Sequence, residues 1–222
     1  MPVRTIPKNY RNVTGRVSLR TSDGVSAGFE SSLERDLLIC LDMMPDVVEI
    51  EEQPVVVPYA LEGKAHTYTP DVLFKYRSGV TVLAEVKYRE DLFANWSEIK
   101  PKIKAARKYA KDRGWEFKIL TEKEIQTVWL DNCRFLRRYS IEDCMPAMVE
   151  HTKAAIESMR HTTVSGLLNY LSADRWRQAE YQTVVWALLS EGGISADLTS
   201  PLNLKSELWP GEREAERQHE EF

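Results

Sequence analysis

The sequence predicts an α/β protein, with a small mixed β-sheet flanked by helices and a mostly helical C-terminal region. Segments rich in β-branched residues alternate with segments of helical periodicity up to about residue 140, and beyond it the pattern is mainly helical. Hydrophobic residues make up 43% and charged residues 29% of the 222-residue chain, which is typical of a globular protein. We expect a first domain over residues 1–140, a C-terminal domain over residues 141–210 and a charged, disordered tail over residues 211–222.

The chain begins with a basic arm, because residues 1–20 contain no acidic side chain. Its cations are Arg4, Lys8, Arg11, Arg16 and Arg20. The arm, with Arg16 among its contacts, could lie on nucleic-acid phosphates, or it could be a solvated terminus. Weak alternation over residues 15–20 predicts a short strand.

A helix is predicted to begin at Ser31 and to end near Pro45, because proline stops a helix. Its apolar positions are Leu33, Leu37, Leu38 and Leu41. Glu34 falls inside their arc on a wheel of about 100° per residue. A carboxylate on an apolar face needs a partner or a metal, which makes Glu34 a candidate third acidic group. Alternatively, its capping-box spacing from Ser31 lets it bond the start of the helix.

Residues 47–57 form a β-branched run that contains a proline, which predicts two strand pieces or an edge strand. Glu51, Glu52 and Gln53 are unusual inside such a run. One or more of them could face the same cleft as the acidic residue that follows in the next strand, or they could form an exposed stripe.

A hairpin carries the candidate site, because two β-rich segments flank the turn residues Arg77, Ser78 and Gly79. Glu85 and Lys87 are two residues apart on the second strand, so they project from the same face. Asp71 begins the first strand, where antiparallel pairing brings it beside them. Two converging carboxylates suit Mg2+, and the lysine could orient or deprotonate an attacking water or offset phosphate charge. The alternative is ordinary charge alternation on an edge strand.

The next helix is predicted to start near Pro101, because proline fits a first helical turn, and to run to Arg113. It is strongly basic, and we assign phosphate contacts to four of its cations, with a solvated face as the alternative. The four are Lys100, Lys104, Arg107 and Lys108.

A strand over residues 115–120 follows, and a capping box from Thr121 to Glu124 predicts one helix through Arg138. The C-terminal region then reads as three helices, at residues 146–160, at residues 164–171 and from Ser172 to the Gly192-Gly193 pair. Short strands near residues 194–198 and 202–208 complete it. Helices followed by a β-hairpin predict a winged-helix-like domain, which could bind DNA or protein.

Other compositional features narrow the functional classes. The net charge of −4 argues against a protein that coats DNA uniformly, although local charge matters more than the sum. Cys40, Cys133 and Cys144 lack metal-ligand spacing, and free thiols fit a reducing cytoplasm. No apolar run approaches the roughly 18 residues of a membrane span, so we expect no membrane partner.

Several motifs taken in order resemble TnsA, the endonuclease subunit of heteromeric transposases. The resemblance covers residues 15–130 and rests on the helix with Glu34, the run Glu51-Glu52-Gln53-Pro54, Tyr68-Thr69-Pro70-Asp71, Glu85-Val86-Lys87, and Gly114-Trp115 with Thr121-Glu122. The compact length also resembles TnsA proteins of CRISPR-associated transposons.

The resemblance implies a restriction-endonuclease-like PD-(D/E)xK core in which Asp71 and Glu85 bind Mg2+, with Mn2+ able to substitute. Glu34 would complete the acidic set, and Lys87 would assist the nucleophilic water. The implied task is to cut the 5′ ends, on the non-transferred strand, of a transposon in the bacterial cytoplasm. The implied partners are double-stranded transposon-end DNA, a TnsB-like transposase and a TnsC-like ATPase. A free-standing restriction or junction-resolving nuclease and a non-catalytic assembly factor are the alternatives.

Overall fold

The computed structural model describes residues 14–20 and 26–211, which fall into two compact units divided between Thr127 and Val128. The predicted basic positions Arg4, Lys8 and Arg11 lie outside the described residues, as do residues 212–222 of the predicted tail. The mixed α/β architecture expected from the sequence is confirmed. No helix of the described residues is both long enough and apolar enough to cross a membrane.

Within the described residues, eight strands and four helices make up the first unit. The strands are β1 (Gly15–Ser18), β2 (Ser26–Phe29), β3 (Val47–Glu52), β4 (Val57–Leu61), β5 (Lys64–Tyr68), β6 (Val72–Tyr76), β7 (Thr81–Val86) and β8 (Glu116–Leu120). The helices are α1 (Ser32–Asp42), α2 (Arg89–Ala94), α3 (Trp96–Lys111) and α4 (Glu122–Ile125).

The central sheet has the strand order β3-β6-β7-β8. Strand β6 pairs antiparallel with both β3 and β7, as the hairpin turn predicts, whereas β7 and β8 are parallel. A parallel pair needs a crossover connection, which α2 and α3 supply. Strands β1 and β2 form one two-stranded ribbon and β4 and β5 another. The proline-containing run therefore splits into β3, at the sheet edge, and β4.

The sheet is covered on both faces by apolar side chains. Alternate residues of β6 and β7, such as Phe74 and Val82, join the core that includes α1. Leu73 and Leu83 point to the other face, where they pack with Ala110 of α3. Because side chains alternate along a strand, Asp71 and Glu85 share the face of Leu73 and Leu83. The same alternation that builds the core therefore places the two acids on the α3 side.

Helix α3 begins earlier than predicted. It starts at Trp96 and contains Pro101 in its interior, so the expected start near Pro101 is wrong. Proline removes the hydrogen bond that an N–H at position 101 would donate to Ser97, and its ring crowds that carbonyl. Ser97 is exposed, so water can solvate its carbonyl, and apolar contacts of Ile99 and Ile103 hold the helix on the sheet.

The capping box at Thr121 and Glu124 is present, but the helix it opens is short. One helix through Arg138 was expected, whereas α4 ends at Ile125 and a second helix begins at Val128. Gln126 ends α4, because its ψ of 67° is far from helical values. Ile125 is buried in the core of the first unit, which fixes α4 there.

The second unit is mainly helical. Its elements are α5 (Val128–Leu136), a 3-10 turn (Ile141–Asp143), α6 (Pro146–Met159), β9 (Thr162–Thr163), α7 (Val164–Leu171), α8 (Arg175–Ser190), β10 (Ile194–Ala196) and β11 (Glu207–Pro210). The three strands form an antiparallel sheet in the order β10-β11-β9. Asp174 caps α8, so that helix begins three residues after Ser172. The last strand, β11, begins later than the predicted residue 202.

Side chains of α5 place the division between the units at residue 127 rather than after residue 140. The Asn132 amide donates to the carbonyls of Leu198 and Ser200 and accepts from the backbone N–H of Leu202. Ser190 of α8 donates to the Leu136 carbonyl. These long-range bonds could not be read from local sequence patterns.

Candidate active site

The β6–β7 hairpin brings Asp71 and Glu85 together. Val72 pairs with Ala84, so Asp71 lies opposite Glu85 in the next register position. The backbone N–H of Val86 donates to Asp71 Oδ2 over 2.7 Å. The Asp71 N–H donates to the Ala84 carbonyl over 3.1 Å, and the Gln53 N–H donates to the Asp71 carbonyl over 2.8 Å. Asp71 is thus fixed at its N–H, its carbonyl and its carboxylate.

Burial and mutual repulsion dominate the electrostatics of this pair. Burial first, and then the neighbouring Glu85 carboxylate, raise the pKa of Asp71 well above its ordinary value. Glu85 itself is only 4% exposed. The pair therefore concentrates negative charge in a poorly solvated place, which a cation would stabilise.

Lys87 supplies one such cation. Its Nζ lies 3.4 Å from Glu85 Oε1, in an ion pair whose lysine side chain is 36% exposed. Burial on its own lowers the pKa of Lys87, but Asp71 and Glu85 outweigh it, and the net pKa is raised. Lys87 is therefore an ammonium at neutral pH, which donates hydrogen bonds and does not accept a proton.

Tyr68 is a member of the site that sequence reasoning did not assign. Its hydroxyl donates to Glu85 Oε2. Burial raises the pKa of Tyr68, and the Glu85 carboxylate raises it further, so the phenol keeps its proton. Tyr68 ends β5, opposite Val57 of β4. The signal in the sequence was its place three residues before Asp71, but that spacing alone does not predict the contact.

Glu34 adopts the capping arrangement and remains electrostatically linked to the site. Its carboxylate accepts from the Ser31 hydroxyl over 2.9 Å and from the Glu30 N–H over 2.8 Å. Burial raises the pKa of Glu34, and the charge of Lys87 lowers it in part. The capping alternative is therefore present in the structure, and the charge of Glu34 also raises the pKa of Lys87 and of Asp71.

Gln53 is the residue of the polar run that reaches the site. It is buried, at 6% exposure, with a φ of 44°, a backbone conformation that is uncommon outside glycine. Its Nε2 donates to Glu30 Oε1 over 3.3 Å, and its Oε1 has no partner among the described residues. Glu52 is half-buried, and burial raises its pKa. The polar run is therefore part of the cleft at Gln53.

The donor set of this cleft fits Mg2+. Asp71 and Glu85 offer hard carboxylate oxygens, and Mg2+ typically takes one or two carboxylates and completes its shell with waters and substrate phosphate. Among the residues that the structure describes, no three His, Cys, Asp or Glu side chains gather into a metal-binding group. A direct metal role for Glu34 stays a prediction.

The candidate DNA-contacting cations lie in two different surroundings. Arg16 is engaged within its ribbon, where Nε donates to Ser26 Oγ and a terminal nitrogen donates to the Ser26 carbonyl, each over 2.6 Å. It also lowers the pKa of Glu52 in part. The other four are exposed on α3, namely Lys100, Lys104, Arg107 and Lys108. Of these, Lys108 pairs with Asp112 at 2.5 Å.

Two comparisons with known proteins match nucleases. Residues 44–122 match the model of the TnsA-like endonuclease N-terminal family, a stretch that includes Asp71, Glu85 and Lys87 but not Glu34. The chain is also similar to the head completion nuclease of Enterobacteria phage T4. The identity is 27% over 145 residues, covering 55% of this chain and 92% of the phage protein. Together these similarities support a DNA endonuclease with a TnsA-like nuclease domain.

Proposed function

We propose that this protein is a Mg2+-dependent endonuclease that cuts the 5′ ends, on the non-transferred strand, of a transposon. It acts with a TnsB-like transposase and a TnsC-like ATPase in the bacterial cytoplasm. The observation that supports the site is the convergence of Asp71, Glu85 and Lys87 at the end of one hairpin, inside the stretch that matches the TnsA-like model. The first unit then has a restriction-endonuclease-like PD-(D/E)xK core.

Each side chain of the site has a role in the proposed mechanism. Bound Mg2+, or Mn2+ in its place, supplies Lewis-acid stabilisation of the phosphate charge. The Val86 N–H orients Asp71, and Tyr68 and Lys87 hold the two oxygens of Glu85. The Lys87 ammonium can donate to the attacking water or to a phosphate oxygen. Water oxygen bonds to phosphorus while the bond to the 3′ oxygen breaks; the attacking water gives up a proton to the surrounding solvent and the leaving 3′ oxygen takes one up, which leaves a 5′-phosphate and a 3′-hydroxyl.

A strand-resolved cleavage assay, with the transposase partner added and omitted, tests the proposal. Asp71→Asn, Glu85→Gln and Lys87→Ala are each expected to abolish 5′ cleavage while the protein stays folded. Asp91→Asn is the matched control, because that carboxylate is exposed on α2, four residues from Lys87, and its loss should leave cleavage intact. Full 5′ cleavage by the three site variants would refute the assignment.

A free-standing nuclease is the second candidate, and the similarity to the phage nuclease along 92% of that protein's length favours it. The same assay separates the two. Strong cleavage of duplex DNA by the purified protein with Mg2+ and no partner would favour the free-standing nuclease, whereas cleavage that requires the transposase would favour the transposon enzyme.

For the second unit we propose a winged-helix-like module. The order α6, β9, α7, α8, β10, β11, with β11 between the other two strands, is the arrangement of helices and hairpin that such modules use. Only Arg175 and Arg177 are basic on α8. That modest charge favours docking to the ATPase partner over DNA. Full-length Arg175→Ala/Arg177→Ala should therefore keep its affinity for DNA, and a loss would favour DNA binding.

A further inference from the structure

Two large aromatic rings are exposed just beyond the candidate site. Phe93 is 70% exposed and Trp96 is 42% exposed, and they flank Asn95 at the junction of α2 and α3. Asn95 departs from helical geometry, with a φ of −110° and a ψ of 20°. Burial of these two aromatic side chains would add stability, and in their exposed positions both rings are available for contact with another molecule.

The rings lie close to the reacting centre. Helix α2 begins at Arg89, two residues after Lys87, and Phe93 stands one turn further along. At about 3.5 Å per extended residue and about 1.5 Å per helical residue, Phe93 lies within about 15 Å of the Lys87 backbone. A B-form strand rises about 3.4 Å per nucleotide, so the ring is within a few nucleotides of a phosphate held at Lys87.

The start of α2 holds Phe93 in a defined setting. The Arg89 guanidinium lies over the Phe93 ring, 5.7 Å from its centroid. The Arg89 backbone N–H is in turn fixed by Glu122 over 2.9 Å. A cation over one face of the ring stabilises this arrangement and leaves the opposite face for another flat group.

The charges of α3 are separated around its axis. At about 100° per residue, the side that carries Trp96 has cations and no acid. Those cations are Lys100, Lys104, Arg107 and Lys111, and Lys108 lies at the boundary of this side, where it pairs with Asp112. The acids Glu98 and Asp112 fall on the other exposed side, with Lys102. The two rings therefore lie at the N-terminal end of this line of cations, which we call the α3 stripe. Its positive charge is complementary to a polyanion.

We propose that Phe93 and Trp96 form a stacking platform for an unpaired base of the DNA strand beside the cleavage position, while the α3 stripe follows its phosphates. This inference rests on the proposed nuclease function and adds a substrate class to it: DNA with a frayed or single-stranded segment at the cut. Exposed rings interleaved with cations are what single-stranded DNA sites use, because every base has a face to stack.

Equilibrium binding tests the platform without any cleavage. The probe is a DNA duplex with a short overhang that carries 2-aminopurine, compared with the same duplex fully paired, both in Ca2+. Base stacking contributes about 1–3 kcal/mol per base, so wild type should bind the overhang at least about 5-fold more tightly. It should also quench the 2-aminopurine fluorescence. Absence of either effect in wild type would overturn the proposal.

Four variants separate stacking from other effects. Phe93→Ala/Trp96→Ala and Phe93→Leu/Trp96→Leu should both lose the preference, because leucine keeps apolar bulk but has no ring. Phe93→Trp should keep it. Lys104→Ala should weaken both probes equally, since it removes a phosphate contact only. If either double variant still prefers the overhang to the paired duplex, the platform is wrong. It is also wrong if a double variant loses transposase binding while its DNA binding is unchanged, because the rings would then belong to a protein contact.

The same experiment distinguishes failure of this inference from failure of the proposed function. If wild type cuts DNA but shows no preference for the overhang, only the platform is wrong. If the preference is present but Asp71→Asn cuts normally, the site assignment is wrong and the rings still bind unpaired DNA.

Discussion

At the scale of single residues, the buried charge of Asp71 predicts a conflict between stability and function. Its pKa is raised in the folded protein, so above the ordinary carboxyl value of about 3.8 the folded state binds more protons than the unfolded state. Folding stability contributed by this group therefore falls as the pH rises. Asp71→Asn removes that loss and can keep the bond from Val86, so it should raise the melting temperature at pH 7 while abolishing cleavage.

A metal titration completes this prediction. Added Mg2+ should raise the melting temperature of wild type, because an ion that binds only the folded state stabilises it, and chelation should reverse the effect. Asp71→Asn should show little response, and Asp91→Asn should respond like wild type. An equal Mg2+ response in Asp71→Asn would show that the ion binds elsewhere.

Tyr68 gives a second prediction at this scale. Tyr68→Phe keeps the ring and removes the hydroxyl that donates to Glu85. A hydrogen bond to a charged group contributes about 1.5–3 kcal/mol. Without it the Glu85 carboxylate should no longer be held in one orientation, and the cleavage rate should fall about 10-fold or more with the fold intact. The rate constant of a single-turnover cleavage reaction measures the effect. A variant with the wild-type rate would mean that Tyr68 only packs against the site.

How much of the site could be predicted from the sequence depends on how far apart its residues lie along the chain. Asp71, Glu85 and Lys87 could be predicted to converge because a short turn fixes the pairing of their strands. Gln53 lies 18 positions before Asp71, and its contact depends on how the β4–β5 ribbon leaves and rejoins the sheet. The role of Glu34 could not be decided from the sequence, because its one position allows both the capping contacts and proximity to the site.

At the scale of elements, Pro101 is expected to destabilise helix α3. It sits inside α3, where proline removes one helical hydrogen bond and typically costs about 3 kcal/mol relative to alanine. Pro101→Ala should therefore raise the free energy of unfolding in urea, by about 1 kcal/mol or more after the helix relaxes. A destabilised variant would show that the proline ring makes packing contacts that outweigh the missing bond.

Helix α3 also shows why some element boundaries could not be predicted from the sequence. Proline chemistry placed the start of α3 near residue 101, but burial of Ile99 and Ile103 extends the helix back to Trp96. The capping box at Thr121 correctly predicted a helix start, and the end at Ile125 depended on burial in the core of the first unit. The start of α4 is encoded by local hydrogen bonds, whereas the start of α3 and the end of α4 depend on tertiary packing.

At the scale of the whole molecule, helix α5 decides where the chain can be divided. Its Asn132 makes three hydrogen bonds to the segment around Leu198–Leu202, and its Phe135 packs edge-on against Trp186 of α8 at 5.4 Å between ring centroids. Leu130, Cys133 and Leu136 are each at most 1% exposed. A fragment of residues 128–222 should therefore fold on its own, with helical circular dichroism and cooperative unfolding in urea.

A fragment of residues 141–222, cut at the boundary that the sequence pattern suggested, lacks α5 and should be less stable by several kcal/mol. The reason is that each buried large side chain removed from a core costs about 2–5 kcal/mol, and loss of Asn132 also leaves backbone carbonyls of the second unit without their donor. The matched control is Asn132→Ala in the longer fragment, which removes only the hydrogen bonds and should give an intermediate stability. Equal stability of the two fragments would mean that α5 belongs with the first unit and that the chain divides after residue 140.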